Sequence, residues 1–253
     1  MKLGDIFRSC VRAPAALSWT LACHGYLRLR GKLKPGKWGD RRALDVIGLW
    51  GKGLTWIMGG RVIKRNERQG PMGDVIIANH MGFMDVPVLL SFYPSVFLIK
   101  DEMRKVFFFG QALVNQGHVF VKRDKSSSRK SARDGVRKVL EVGDRIIIFP
   151  EGYASHKVER QPFKPFSFFE AKRQNKAVEF CLIDYLPDRE KFKWDTSRKM
   201  LPQLLEIIGR KRTDISVEFF RAEVPDDPEK AAQFYHDLCE QKLKEYDREK
   251  QST

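Results

Sequence analysis

From residue 73 onward the chain alternates short apolar runs with stretches of helical spacing, and no other feature constrains its fold as much. Six runs have the length and bulk of buried strands: 74–78, 96–99, 119–121, 145–149, 178–183 and 215–220. Between them, 86–92, 126–141, 166–173 and 197–209 read as helices, and a charged helix is expected over 228–250. Strands separated by helices predict an α/β domain, a central mixed sheet flanked by helices. In such a domain the functional groups gather on loops at the strand ends.

Residues 1–60 break this pattern. They read as two apolar-rich helical stretches joined by a polar link with Gly and Pro over 31–39. In the second stretch Leu44, Ile47, Trp50, Leu54, Trp56, Ile57 and Met58 mostly keep helical intervals, with Arg41, Arg42 and Lys52 among them. Such a face suits a membrane interface or the core of the neighbouring domain, and amphipathicity does not choose between them. The organisation expected is therefore a helical, membrane-contacting region at 1–60, an α/β domain at 61–225 and a charged helix at 226–253 that packs on or extends from it.

Several classes fall away. The chain has 18 Phe, 5 Trp and 6 Tyr, ample material for a core, so it is not a disordered chain. No apolar stretch approaches the roughly 18 to 20 residues that span a bilayer. The longest near the start, 13–23, contains Pro14, Ser18 and Thr20 and has no small-residue cleavage site, so it does not read as a secretory signal. The four cysteines form no CxxC or Cys/His ligand pattern, which argues for a reduced environment without structural zinc. Walker A, GxGxxG and GxSxG motifs are all missing, which places nucleotide-binding enzymes and serine hydrolases low. A net charge of +15 attracts anionic partners: nucleic acid, anionic lipid or an acidic carrier protein. Without an aromatic RNA-binding signature, zinc-finger spacing or a clear recognition helix, nucleic acid is the least favoured.

The stretch richest in chemistry is 79–85, Asn-His-Met-Gly-Phe-Met-Asp, between an expected strand and an expected helix. His80 and Asp85 are about 140° apart on a regular helix, so they meet only if the chain turns between them, and Gly82 eases such a turn. A carboxylate on one imidazole nitrogen leaves the other free to take a proton from a hydroxyl. The alternative is a helix N-cap at Asp85 ahead of Val86-Pro87, with His80 a plain strand-end histidine. Two more strands end suggestively: 145–152 closes on Phe-Pro-Glu-Gly, and 117–123 ends in Arg123, where an anionic group of a substrate would lie.

In this order and spacing the segments resemble the glycerolipid acyltransferases, the family of the 1-acylglycerol-3-phosphate acyltransferases. The block NHxxxxD is matched by Asn79, His80 and Asp85. GxxFxxR is matched by Gly117, Phe120 and Arg123, and FPEG with a following Ser by Phe149, Pro150, Glu151, Gly152 and Ser155. A lysine-led segment from Lys100 lies between the first two blocks, and 163–171 looks like the family's FKxxxxxxA segment. The resemblance covers about residues 40–225. It implies acyl transfer from a CoA or acyl-carrier-protein thioester to the hydroxyl of a lysophospholipid, 1-acylglycerol-3-phosphate first, with no cofactor and no metal. It implies His80 as general base oriented by Asp85, and Arg123, Glu151, Gly152, Lys100 and Ser155 around the acceptor. By analogy with serine hydrolases, backbone amides near the turns would hold the oxyanion. It also tilts the N-terminal helices toward an anionic membrane surface, with the enzyme peripheral or monotopic on the cytoplasmic face. Two departures bear on the acceptor headgroup. After FPEG the family usually reads Thr-Arg-Ser, but here Tyr153-Ala154-Ser155 lacks the arginine and Lys157 is the nearest cation; the family's Val-Pro-rich strand is poorly matched at 177–183. Another lysolipid acceptor, such as lyso-ornithine lipid, would fit that loss.

Overall fold

The chain opens with two helices, α1 (Leu3–Leu33) and α2 (Arg41–Ile57), and then enters the sheet at β1 (Gly60–Lys64) and β2 (Val75–Ala78). There follow α3 (Asp85–Phe92), β3 (Val96–Lys100), α4 (Gly110–Asn115), β4 (Val119–Val121), α5 (Ser126–Glu141) and β5 (Ile146–Ile148). The remainder is α6 (Phe166–Arg173), β6 (Val178–Leu186), α7 (Met200–Gly209), β7 (Thr213–Phe219) and α8 (Pro228–Gln251). This computed structural model describes residues 2–33, 41–105, 110–122, 126–152, 161–187, 189–193, 195 and 197–251.

The sheet has seven strands in the order β1-β7-β6-β2-β5-β3-β4. All neighbours pair in parallel except β6 and β7, so the sheet is mixed, as the sequence predicts. β2 and β5 are buried at every position, which is why they read as unbroken apolar runs. Along β6 the side chains alternate: Phe180 meets Phe163 and Tyr235, and Asp184 meets Lys250 of α8. On the opposite face Glu179 meets Tyr93, just past the end of α3, and Tyr185 meets Asp85, the first residue of α3. Period-two geometry thus sorts α3 and α8 to opposite sides of the sheet.

Several expectations shift at the edges. β1 was not foreseen, because its Gly-Arg-Val-Ile-Lys sequence is short and carries two charges in five residues, as suits an edge strand. α4 was also missed. α7 begins at Met200 rather than near 197, because Asp195 ties the preceding chain into a turn through the Ser197 amide. The expected link over 31–39 starts later, since α1 continues to Leu33; 34–40 lies outside the described residues.

The N-terminal helices pack on the domain. α2 buries Ile47 and Leu54, and Met58 just past its end is buried with them. α1 crosses it where Trp19 donates to the Trp50 carbonyl at 3.2 Å and Trp50 donates to Thr20 Oγ1 at 3.1 Å. Near its start, Arg8 and Arg12 donate to the carbonyls of Gly209, Ile208 and Arg210 at the end of α7. Cations there complement the negative end of the helix dipole. The opposite face of α1 exposes Leu3, Phe7, Val11, Leu17 and Leu21.

Candidate active site

β2 delivers Asn79 and His80 to the carboxyl end of the sheet. Asn79 is wholly buried and exchanges two 2.8 Å hydrogen bonds with the backbone of Ile183, so it extends the β2–β6 pairing by side chain. The chain then turns and re-enters a helix at Asp85. Asp85 does not cap α3: Met84 occupies the cap position without a side-chain bond, and the Asp85 carboxylate reaches backward. Its Oδ2 accepts from the amides of Met81 at 2.7 Å and Gly82 at 2.9 Å and lies 2.8 Å from His80 Nδ1. Oδ2 of this wholly buried carboxylate already accepts from two amides, so it accepts from the ring as well and Nδ1 is the donor. His80 Nε2 makes no hydrogen bond among the described residues and is left as a proton acceptor; the ring keeps 20% exposure.

The imidazole is held by its face as well as its edge. It stacks on Phe149 with centroids 3.8 Å apart and planes 10° apart, and Phe149 in turn lies 5.7 Å from Phe97. Phe149 opens the turn after β5, which closes when the Gly152 amide donates to the Phe149 carbonyl at 3.0 Å. Gly152 sits at φ +91°, a conformation that a side chain resists. Within this turn Glu151 is wholly buried and accepts from the His80 amide at 3.1 Å. Its carboxylate therefore braces the turn that carries His80.

These bonds bear on the oxyanion. The amides of His80, Met81 and Gly82 are taken by Glu151 and Asp85, and that of Gly152 by Phe149. An oxyanion formed beside His80 would have to find its backbone donors among other amides.

Of the other sequence-derived residues, Lys100 is exposed at the end of β3, two strands from β2. Arg123 and Ser155, like Lys157, lie outside the described residues. The strand leading to Arg123 is β4, and just beyond it Lys122 lies 3.3 Å from Asp101, which also pairs with Arg104. Sequence reasoning missed Tyr185. Its hydroxyl, wholly buried, donates to Asp85 Oδ1 at 2.5 Å. Burial and the adjacent carboxylates push its pKa well above the ordinary tyrosine value. The signal lies in the register: β6 pairs with β2 through Ala78↔Cys181, and Tyr185 falls on the α3 face with Ile183 and Cys181. Among the described residues no cluster of His, Cys, Asp and Glu suits a metal ion, and no helix is long and apolar enough to cross a membrane.

A mostly parallel, mixed sheet that presents a hydrogen-bonded His–Asp pair beside a Phe-Pro-Glu-Gly turn has counterparts among known proteins. The acyltransferase family profile matches residues 60–178. That match takes in just under half of the chain, and the curated relatives that align with it are named as acyltransferases. The chain is 27% identical over 180 residues to a 1-acyl-sn-glycerol-3-phosphate acyltransferase of Neisseria gonorrhoeae, covering 69% of each chain. It is 25% identical to a lyso-ornithine lipid O-acyltransferase of Brucella abortus, over 83% of this chain and 82% of that one. Its fold matches the 1-acyl-sn-glycerophosphate acyltransferase PlsC of Thermotoga maritima with a TM-score of 0.71, at 17% identity, over 96% and 97% of the two chains.

Proposed function

We propose that the protein moves a fatty acyl chain from a CoA or acyl-carrier-protein thioester to the free hydroxyl of a lysophospholipid, 1-acylglycerol-3-phosphate before others. The observation that carries the mechanism is the 2.8 Å contact of Asp85 Oδ2 with His80 Nδ1, which leaves Nε2 without a hydrogen bond among the described residues. A hydroxyl is a weak nucleophile at neutral pH and needs such a base within reach. The acceptor's proton passes to Nε2 as its oxygen forms a bond to the thioester carbonyl carbon. The tetrahedral adduct then expels the thiolate, which leaves as the thiol with the proton from the imidazolium. Asp85 stabilises the imidazolium in between. The acceptor supplies the attacking oxygen, so no acyl-enzyme forms. Arg123, Lys100 and Ser155 are the residues expected around the acceptor head, with Gly152 shaping the turn beside them. The exposed face of α1 would set the enzyme on an anionic membrane, on the side where the thioesters are made.

A lyso-ornithine lipid acceptor is the second reading. It is favoured by Tyr153-Ala154-Ser155, which lacks the arginine suited to a phosphate, and by the likeness to the Brucella enzyme along most of the chain. One assay separates them. Purified protein on liposomes receives a labelled acyl thioester with either lysophosphatidic acid or lyso-ornithine lipid. Labelled phosphatidic acid supports the first reading, labelled ornithine lipid the second, and label in neither removes both.

A further inference from the structure

Asp85 has two carboxylate oxygens with different duties. Oδ2 receives the His80 ring and two turn amides, whereas Oδ1 has a single donor among the described residues, the Tyr185 hydroxyl. A buried carboxylate oxygen without a donor is costly, about 1–3 kcal/mol or more. The residue that carries this hydroxyl is held at its ring and at its backbone. Its ring stacks on Phe192 at 4.7 Å and 14°, and the Phe192 carbonyl lies where a Cβ on Gly82 would sit, at 2.5 Å. The Tyr185 amide donates to Asp184, whose carboxylate is gripped by Arg189 and Lys250 from the opposite face of the sheet. Tyr185 is thus a rigid donor aimed at the partner of the base.

We propose that Tyr185 is a positioning residue for acyl transfer: by holding Asp85 Oδ1 it sets how strongly Asp85 Oδ2 grips His80. The proposal rests on His80 being the base. The hydroxyl draws carboxylate charge toward Oδ1, and without it that charge concentrates on Oδ2 and the imidazolium is held too tightly. The other ionisable groups around the pair are Glu151, on the His80 amide, Cys181, on the same face of β6, and Asp184, behind it. None of them donates to Asp85 Oδ1.

The test is Tyr185→Phe, which removes one oxygen and leaves the ring. The titration of His80 is followed by imidazole NMR on the protein alone, with the resonance assigned through His80→Gln. The midpoint is expected to rise by roughly half a pH unit or more. The acid limb of kcat/KM should move up with it, and kcat on the plateau should fall about tenfold while the acceptor KM stays within about twofold. Phe192→Leu, which loosens the ring but keeps the hydroxyl, should lower the melting temperature and leave the His80 midpoint in place. In an Asp85→Asn background Tyr185→Phe should add nothing. An unmoved or lowered midpoint in Tyr185→Phe, or the same rise in Phe192→Leu, overturns the proposal and reduces Tyr185 to packing. Should the Phe variant not fold, wild-type protein labelled at the tyrosine Cζ decides: the Tyr185 signal must follow the His80 titration and lose that step in His80→Gln, and a signal indifferent to His80 overturns the proposal. Because the titration needs no substrate, failure to acylate a lysolipid would sink the functional reading and leave this result standing on its own.

Discussion

Asp85 is wholly buried, so its charge is answered entirely within the protein, by a ring nitrogen, two amides and a hydroxyl. Replacing His80 with Ala removes the base but none of these backbone bonds. Turnover should fall by about 10²–10⁴-fold with the melting temperature nearly unchanged, as acylation kinetics and thermal unfolding would report. Asp85→Asn should behave differently: the amide presents a donor to one of the donors now satisfied, so both activity and stability should drop. His118 makes a separate pH prediction. Its Nδ1 accepts from the Phe97 amide at 2.9 Å, and Nε2 lies 3.1 Å from Gln116 Oε1, so the ring sits neutral between β3 and β4. Desolvation lowers its pKa to about 4 from an ordinary 6.5. The unfolded chain therefore takes up this proton first as pH falls, and folding stability declines from about pH 6.5 toward 4, by at most about 3 kcal/mol. In urea titrations across that range His118→Gln should flatten the decline; an equally steep decline in the variant would clear His118 of the effect. The His80–Asp85 pair was legible in the sequence because both partners lie within one short turn. Tyr185 and the bracing role of Glu151 were not, since those contacts join strands 100 and 71 residues away and depend on sheet register.

Elements were legible where burial enforces a period. α5 and α6 have the ends that spacing assigns, because Ala132, Val136 and Leu140 form a regular buried stripe and Phe168 and Ala171 do the same on a shorter helix. β1 was illegible because little of it faces the core, so its sequence carries little pattern. What spacing hides altogether is how closely elements approach. α2 meets α3 at Gly51, where a Cβ would lie 2.5 Å from the Pro87 carbonyl and 2.8 Å from the Ser91 amide. Those are backbone atoms, which cannot swing aside. Gly51→Ala should push α3 away from α2 and cost about 1–3 kcal/mol. Since α3 begins with Asp85, activity should fall further than the lost stability accounts for when both are measured at a temperature where the variant is folded. A variant as stable and as active as the wild type would show that the helices can separate without disturbing the pair. On the other side of the sheet, α8 holds β6 by Lys250 on buried Asp184, and Arg189, just after β6, bridges Asp184 to Asp247 of α8. That clamp fixes the strand position from which Tyr185 projects.

At the scale of the whole molecule, α1 carries two kinds of face. One face is docked, with Ser9 and Cys23 buried and Arg8 and Arg12 on the last carbonyls of α7. The other leaves Leu3, Phe7 and Val11 more than half exposed, one helical turn apart, in a chain that carries a net charge of +15. An apolar strip on a basic protein is matched by the surface of an anionic bilayer, which supplies hydrocarbon and countercharge together. Truncating the region would confuse the two faces, because it would also strip packing from α7. Substituting within them keeps them apart. Changing Leu3, Phe7 and Val11 together to Ser removes apolar area that touches little of the core, so thermal unfolding should be nearly unchanged, while partition onto phosphatidylglycerol vesicles in flotation should weaken at least about tenfold. Arg12→Ala should do the reverse, lowering stability by about 1–2 kcal/mol through the bare α7 carbonyls and altering partition far less. If the triple variant floats as well as the wild type, the outer face of α1 is not what meets the lipid, and the acceptor must reach His80 by a route that does not begin at this helix.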